Sequence, residues 1–594
     1  MKTGDRLSSV TACSLLTALF VCGAVFTAAA ENASFSDKSL LSSAANTGFF
    51  FSFSAVFVCV FALSLIRGAD AVRRSLLLIS YCAYAVICMT LTDDAVFCLG
   101  ACLILLPICV FVCGGAGLFT VGRRFLTAVC AAAFIYFAVF FSIQTVCRYL
   151  TLSTPCFDFG IFSQMFRSMS KTGLPYTTCE RETMLSHFAV HVSPVYYVFL
   201  PVYMVFPSPV TLQIMQALTL ASGVIPVCLI CRRRGLSYAA SAAFVLLYVL
   251  YPALGGGTYY DVHENKFLSP LLLWMFYFSE SGKLPFSALF ALLVCLVKED
   301  APVYVIFAAL YYMISAADKR EKAAYAGIGG GAMLYFFTVL TLLSKYGDGV
   351  MTYRYSNFMA KGDTSLLSVV LNVIKAPAFA VYEIFNVQGK TPDVSKLVFI
   401  LQTVLPTGAL PFFIKRYERM ILICPFVLVN LMPDYVYQHD VFFQYTYGSF
   451  AFLLFAAILN FSDLSEKTKK VTAVFALCAA TFFCTQTVWR RATYLKAYLS
   501  DKQTYDEIRT ELESIPEDAS VSATSLFCAA ASGRRELYSL NNSKNAHKTD
   551  YAAIDLRWSS YAKYREAYDK DPEYEIVYEK EGRAVIYRLK DPAG

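Results

Sequence analysis

Chemistry needs ionisable side chains, and in this chain they gather in short polar stretches between long apolar runs. The first stretch, residues 154–194, carries Asp158, then Gln164, and near its end His187 and His191. Further on come Asp261, His263 and Glu264, then Lys298, Glu299 and Asp300 in a row, then His439 and Asp440. A carboxylate near a lipid interface can act as general base toward a sugar hydroxyl. A neighbouring Lys, Arg or His can neutralise a departing phosphate. Together these residue types describe glycosyl transfer from a lipid-linked phosphosugar. His187, His191, Asp261 and His263 also suit a divalent cation, with two of the histidines spaced to share a helical face. No cysteine array accompanies them, and no cofactor is required by the pattern.

The elements that must position these residues follow from periodicity. Phe159, Phe162, Phe166 and Met169 recur at helical spacing with Ile161 and Met165, while Ser163, Arg167 and Ser170 take the other side and Gly173 ends the run. The pattern predicts a short amphipathic helix lying on a membrane surface, with Asp158 at its start. Asp158 is then either the cap of that helix or a working carboxylate. Lys298, Glu299 and Asp300 stand between apolar runs, where they either line a wet cavity or form an ion-paired helix end. His439 and Asp440 read as a loop open to solvent.

Composition says what surrounds them. The chain is 57% hydrophobic and 16% charged, whereas a soluble domain carries about a quarter charged residues. Most of it is therefore solvated by lipid. The net charge of +7 comes in small basic clusters that encode membrane topology, so no nucleic-acid partner is expected. Many of the 20 cysteines sit in apolar runs as small hydrophobes. Cys156 and Cys179 flank the amphipathic helix and could form a disulfide on an oxidising side.

Apolar runs at 10–30, 49–66, 75–91, 95–120 and 125–146 alternate with Arg67/Arg73/Arg74, Asp93/Asp94 and Arg123/Arg124. The positive-inside rule puts the N-terminus in the cytoplasm and Asp158 outside. Residues 195–206 are too short to span and read as a surface helix. Spans follow at 210–231 and 239–254, after which Gly255, Gly256 and Gly257 are expected to break the structure. Short spans at 267–278 and 284–297 flank the Lys298 cluster and imply a cavity. Two more helices lead to an outer loop, 345–395, carrying Tyr353, Arg354, Tyr355 and Lys361, to which no role is assigned. Helices are expected at 396–414, 420–432, 448–460 and 471–488, about fifteen spans in all. From about 490 the chain turns polar. A helix at 505–514, strands at 520–524 and 551–556, and two strands around a charged turn at 574–589 read as a small soluble α/β appendage. It contains no nucleotide-binding glycine loop, which leaves no support for ATP-driven function.

Four segments, FDFGIFSQ (157–164), HFAVHVSP (187–194), DVHENK (261–266) and VKEDAP (297–302), resemble the signatures of the domain-of-unknown-function family numbered 2079. These are multi-spanning prokaryotic proteins placed among the GT-C glycosyltransferases. The resemblance covers roughly 150–460, and SIPEDASVSATS (514–525) resembles the start of the family's extracytoplasmic tail. The layout is more distantly similar to aminoarabinose transferases and protein O-mannosyltransferases. The resemblance implies that Asp158 matches the GT-C catalytic carboxylate and that Lys298 sits where related enzymes hold the donor phosphate. The usual His-Phe-Ser-Pro is spread over HFAVHVSP, so either His187 or His191 is the match. The family's Asp-Phe-His-Pro is here Asp261–Val262–His263–Glu264.

The reading is a mainly α, polytopic bundle in a prokaryotic plasma membrane with its active face outside. Residues 1–124 form a four-helix extension, 125–489 a GT-C-like core with outer loops at 147–209, 255–266, 345–395 and 433–447, and 490–594 an extracytoplasmic α/β domain. The expected function is inverting sugar transfer from a polyprenyl-phosphate donor to a cell-envelope lipid, glycan or protein. Asp158 serves as base; Lys298, His187, His191 and His263 bind phosphate; Gln164, Asp261, Glu299, Asp300 and His439 bind acceptor or give support. The alternatives are a transporter or flippase for a lipid-linked or anionic solute, or a non-catalytic glycan-assembly protein.

Overall fold

A computed structural model describes residues 3–29, 46–66, 70–91, 95–113, 121–349, 351–360, 363, 365–387, 395–541 and 547–590. Arg67, Asp93, Asp94 and Lys361 lie outside them. The chain is mainly α: a helical membrane bundle followed by a small α/β unit. By length and composition, nine helices among the described residues can cross a membrane. Shorter apolar helices accompany them, among them Leu284–Cys295 and Pro302–Ser315.

The bundle closes around the helix Tyr447–Ser462, in which every residue from Tyr447 to Phe461 is buried. Its sequence, YGSFAFLLFAAILNFS, is apolar on all sides, as a helix enclosed by others must be. Phe276 stacks on Phe455 with ring centroids 4.3 Å apart, and Tyr251 on Phe450 at 3.8 Å. Gly255, Gly256 and Gly257 do not break the chain but lie inside the buried helix Pro252–Thr258. A Cβ on Gly256 would come 2.9 Å from the Val441 carbonyl, and one on Gly257 2.8 Å from that of Phe443. Gly256 and Gly257 let the 441–447 segment approach, and Gly255 makes room for the Val488 and Phe141 side chains.

Three further expectations are corrected. Residues 396–432 do not make two full helices. Ser395–Val404 is helical, and then tight turns at Leu405–Thr407, Leu410–Phe412 and Tyr417–Leu422 follow. Pro406, Pro411 and Pro425 each remove a backbone donor. Asn460 compensates by donating to the carbonyls of Leu410 at 2.8 Å and Pro411 at 3.0 Å. The expected loop 345–395 holds two helices, Leu366–Lys375 and Pro377–Phe385, that meet at 107°; Pro377 opens the second. The helix Ile161–Thr172 does not lie free on the membrane. Both its faces are buried, including Ser163 and Gln164, because the C-terminal unit covers the polar side.

That unit is a five-stranded sheet in the order 537–539, 521–523, 551–555, 584–589, 574–580. The first three strands run parallel and the last two pair antiparallel, with Gly582 at φ +63° in the turn between them. It grips the first polar stretch. Ser525 Oγ accepts from the Cys156 N–H at 3.0 Å, Arg557 donates to the Thr151 and Leu152 carbonyls, and Glu517 pairs with Arg167 and Lys171.

Candidate active site

The connections at one end of the bundle enclose a cavity of about 370 Å³, a volume suited to a small molecule or lipid headgroup. Asp158, His187, His191, His263 and Lys298 all line it, brought from four separate segments. Gln164, Asp261, Glu299, Asp300 and His439 do not line it.

Asp158 does not cap the following helix, whose first-turn N–H groups receive no side-chain cap. Its backbone has φ +65° and ψ −73°, a γ-turn conformation that L-residues rarely hold and that costs energy. The turn directs the carboxylate into the cavity, where it meets the Tyr260 hydroxyl. Among the described residues no cation lies within ion-pair distance of it. Burial lifts its pKa to about 6, more than the Tyr260 hydrogen bond and the Lys298 and His191 charges draw it back.

Glu264 is the hub of the opposite wall and is fully buried. Lys298 Nζ lies 3.0 Å from Oε1, and the Tyr196 hydroxyl donates to Oε2 at 2.5 Å. Burial opposes the charge on Lys298, but Glu264, Glu299 and Asp300 hold its pKa above the usual lysine value. His263 Nδ1 accepts the Asn265 N–H at 3.2 Å, and burial pushes the ring well below the usual histidine range, so it is neutral. His191 Nδ1 meets Glu299 Oε1 at 2.8 Å, and His187 Nδ1 meets Glu180 Oε2 at 2.9 Å.

The five residues away from the cavity stand in other settings. Gln164 donates to the Arg535 carbonyl at 3.0 Å and to Thr178 Oγ1 at 2.9 Å, which binds the helix to the C-terminal sheet. Asp261 is 1% exposed, pairs with Arg148 at 2.6 Å and accepts from Gln213 at 3.1 Å. Glu299 orients His191, and Asp300 is exposed. His439 is buried in a turn rather than solvated. The four residues named for a cation do not assemble: among the described residues no three His, Cys, Asp or Glu side chains gather at metal distance. Asp261 is held by Arg148, while the two His187 and His191 Nδ1 atoms face carboxylates. Cys156 and Cys179 are free thiols; Cys156 hydrogen-bonds both Cys179 and Cys528.

Sequence reasoning passed over Glu180 and gave no role to Glu264 or to the roof. Tyr353, Tyr435, Tyr437 and Tyr445 line the cavity, although tyrosines in a membrane protein usually read as interfacial. They surround Arg354, whose guanidinium lies 4.8 Å from the Tyr435 ring centre and 5.1 Å from that of Tyr445. Among the described residues no carboxylate is within ion-pair distance of Arg354. Lys298 and Arg181, by contrast, each have one: Glu264 at 3.0 Å and Asp348 at 2.7 Å. The cavity thus holds an unpaired carboxylate and an unpaired cation.

Fold and site define a multi-pass membrane protein with an ionisable cavity at one end of its bundle. The chain belongs to the family described as "Predicted membrane protein (DUF2079)", whose model matches residues 148–585. The match starts at the end of the Arg123–Leu150 helix and includes every cavity residue and nearly all of the C-terminal sheet. No curated protein matches the chain. Among solved structures it is similar to "Crystal Structure of ArnT from Cupriavidus metallidurans bound to Undecaprenyl phosphate". The two are 10% identical with a TM-score of 0.49 over 79% of this chain and 98% of that one.

Proposed function

We propose that the chain is a GT-C-type membrane glycosyltransferase that moves a sugar from a polyprenyl-phosphate donor to an acceptor hydroxyl with inversion. The single observation that carries this reading is the pairing of an uncompensated carboxylate, Asp158, with cations across one cavity. Asp158 takes the acceptor proton, the acceptor oxygen attacks the anomeric carbon, and the phosphate departs on the opposite side. Lys298 and Arg354 stabilise the negative charge that develops on the phosphate, where an enclosed site makes such interactions strongest. The tyrosine wall offers ring faces to the sugar. We assign the acceptor to the cell envelope, with the cavity and the C-terminal unit outside the cytoplasm. Gln164, Asp261 and Glu299 support the site from behind.

A transporter or flippase is the competing reading. Its polar groups would stand along the interior of the spans, whereas these come from the connections between helices. The test is reconstitution in liposomes with a panel of radiolabelled polyprenyl-phosphate sugars. Release of free polyprenyl phosphate coupled to a labelled product is expected. Transbilayer movement of an intact donor with no release would replace the transferase by the transporter.

A further inference from the structure

One buried nitrogen on a ring that lines the cavity has no partner. His187 is 1% exposed and lines the cavity, and its Nδ1 is taken up by Glu180. Glu180 has no proton to give as a carboxylate, so Nδ1 carries the hydrogen and donates. The ring's other nitrogen, Nε2, is buried with no hydrogen-bond partner. An orphaned polar atom of this kind costs free energy in the empty protein, and a ligand that fills it recovers that cost. The ring is fixed by Phe162 at 5.5 Å and Tyr196 at 6.4 Å between centroids. Neither other cavity histidine has this arrangement: His263 uses Nδ1 as an acceptor, and His191 is 15% exposed.

Resting on the glycosyl-transfer reading above, we propose that His187 is the general acid of the reaction and that Glu180 is the positioning residue that keeps its ring charged and aimed. In the step, the acceptor O–H bond breaks and its proton goes to Asp158. The acceptor oxygen forms a bond to the anomeric carbon. The bond from that carbon to the phosphate oxygen breaks, its electron pair staying with the phosphate. His187 Nε2 transfers its proton to that oxygen. Asp158 ends protonated and His187 neutral, and a proton passing from one to the other through cavity water restores both.

The charges around the ring favour this division of labour. Burial opposes protonation, and Lys298 adds to that, but Glu180 and Glu264 outweigh them and raise the His187 pKa above its ordinary value. His191 is the remaining titratable ring beside it, with centroids 5.9 Å apart. Asp158 sits lower, at about 6. Base ionised and acid protonated therefore coexist between the two values, the pattern of an acid–base pair separated by environment.

The test uses the full chain in nanodiscs with ¹⁵N-labelled histidine, five residues in all, and His187→Gln to assign the signal. The expected wild-type His187 midpoint lies above that of an ordinary histidine, and Glu180→Gln lowers it. A wild-type midpoint at or below that of an ordinary histidine, or a midpoint that Glu180→Gln leaves in place, overturns the proposal. With the signal assigned, the wild-type titration decides this even where Glu180→Gln does not fold. With a donor that wild type turns over, the alkaline limb of kcat should follow the His187 midpoint and move to lower pH in Glu180→Gln. His187→Gln should cost roughly 10²–10⁴-fold in kcat, with KM within threefold. An unmoved limb or an unchanged kcat overturns the acid assignment alone. A normal His187 titration with no donor turned over overturns the parent reading instead.

Discussion

Asp158 and Asp261 are the same side chain in opposite settings. Both have positive φ, +65° and +79°, and both stand in the polar layer at the end of the bundle. Asp261 is neutralised by Arg148, accepts from Gln213 and is closed off from the cavity. Asp158 has no cation at contact distance, a single hydroxyl neighbour in Tyr260 and an open path to the ligand space. A buried carboxylate with a matched cation joins elements together; one left without a cation is poised to take a proton. The same contrast separates Lys298, which is tied to Glu264, from Arg354, which is held only by aromatic rings and neutral groups. The proposed base, Asp158, and one proposed phosphate ligand, Arg354, are the groups in this layer whose charge is left over.

The contrast is sharpest where a charge is removed. Asp261→Asn strands Arg148 in a buried site, and loss of one partner of a buried pair costs about 3–5 kcal/mol. Thermal unfolding in detergent should drop steeply, with little folded protein recovered. A melting temperature equal to wild type would erase the distinction. Arg354→Gln should leave the fold intact and raise the KM for a lipid-phosphate donor by about tenfold, the loss of one charged hydrogen bond; unchanged donor affinity would remove Arg354 from the site. Acidity gives a third check. With the Asp158 pKa raised to about 6, kcat/KM should fall tenfold per unit below that pH, since a protonated carboxyl cannot act as base. A profile flat down to pH 4.5 would contradict a buried base. The smallest effect is expected at Glu517, whose pairs with Arg167 and Lys171 lie at the exposed rim. Glu517→Gln should change stability by less than about 1 kcal/mol and turnover not at all.

Much of this layer was legible in the chain, because ionisable residues are rare in an apolar sequence and each stands out. Asp158, the three histidines and Lys298 could be named for that reason, and the cavity followed from the short spans beside Lys298. Arg354 and its tyrosines were visible as residues but not as a site, since nothing local tells a roof over a cavity from an interfacial loop. Glu264 escaped because its meaning lies in Tyr196 and Lys298, far along the chain, and Glu180 because no periodicity ties it to His187 seven residues on. The C-terminal grip on Gln164 spans some 370 positions, beyond any periodicity. Gly255, Gly256 and Gly257 were misread as a breaker because close approach of a second backbone leaves no mark on the glycines themselves. Among the described residues the α/β unit kept its expected hairpin, while its edge strand Leu537–Ser539 was too short to read.

The most direct test of the central claim compares wild type, Asp158→Asn and Asp158→Glu in liposomes with one polyprenyl-phosphate sugar that wild type turns over, measuring kcat alongside melting temperature. A raised native pKa means that ionised Asp158 is destabilised by folding at pH 7, so Asp158→Asn should melt at the wild-type temperature or above it. Its kcat should fall by about 10²–10⁴-fold, with part of the loss returned in Asp158→Glu. A kcat within threefold of wild type in well-folded Asp158→Asn would contradict the claim that the unpaired carboxylate is the base.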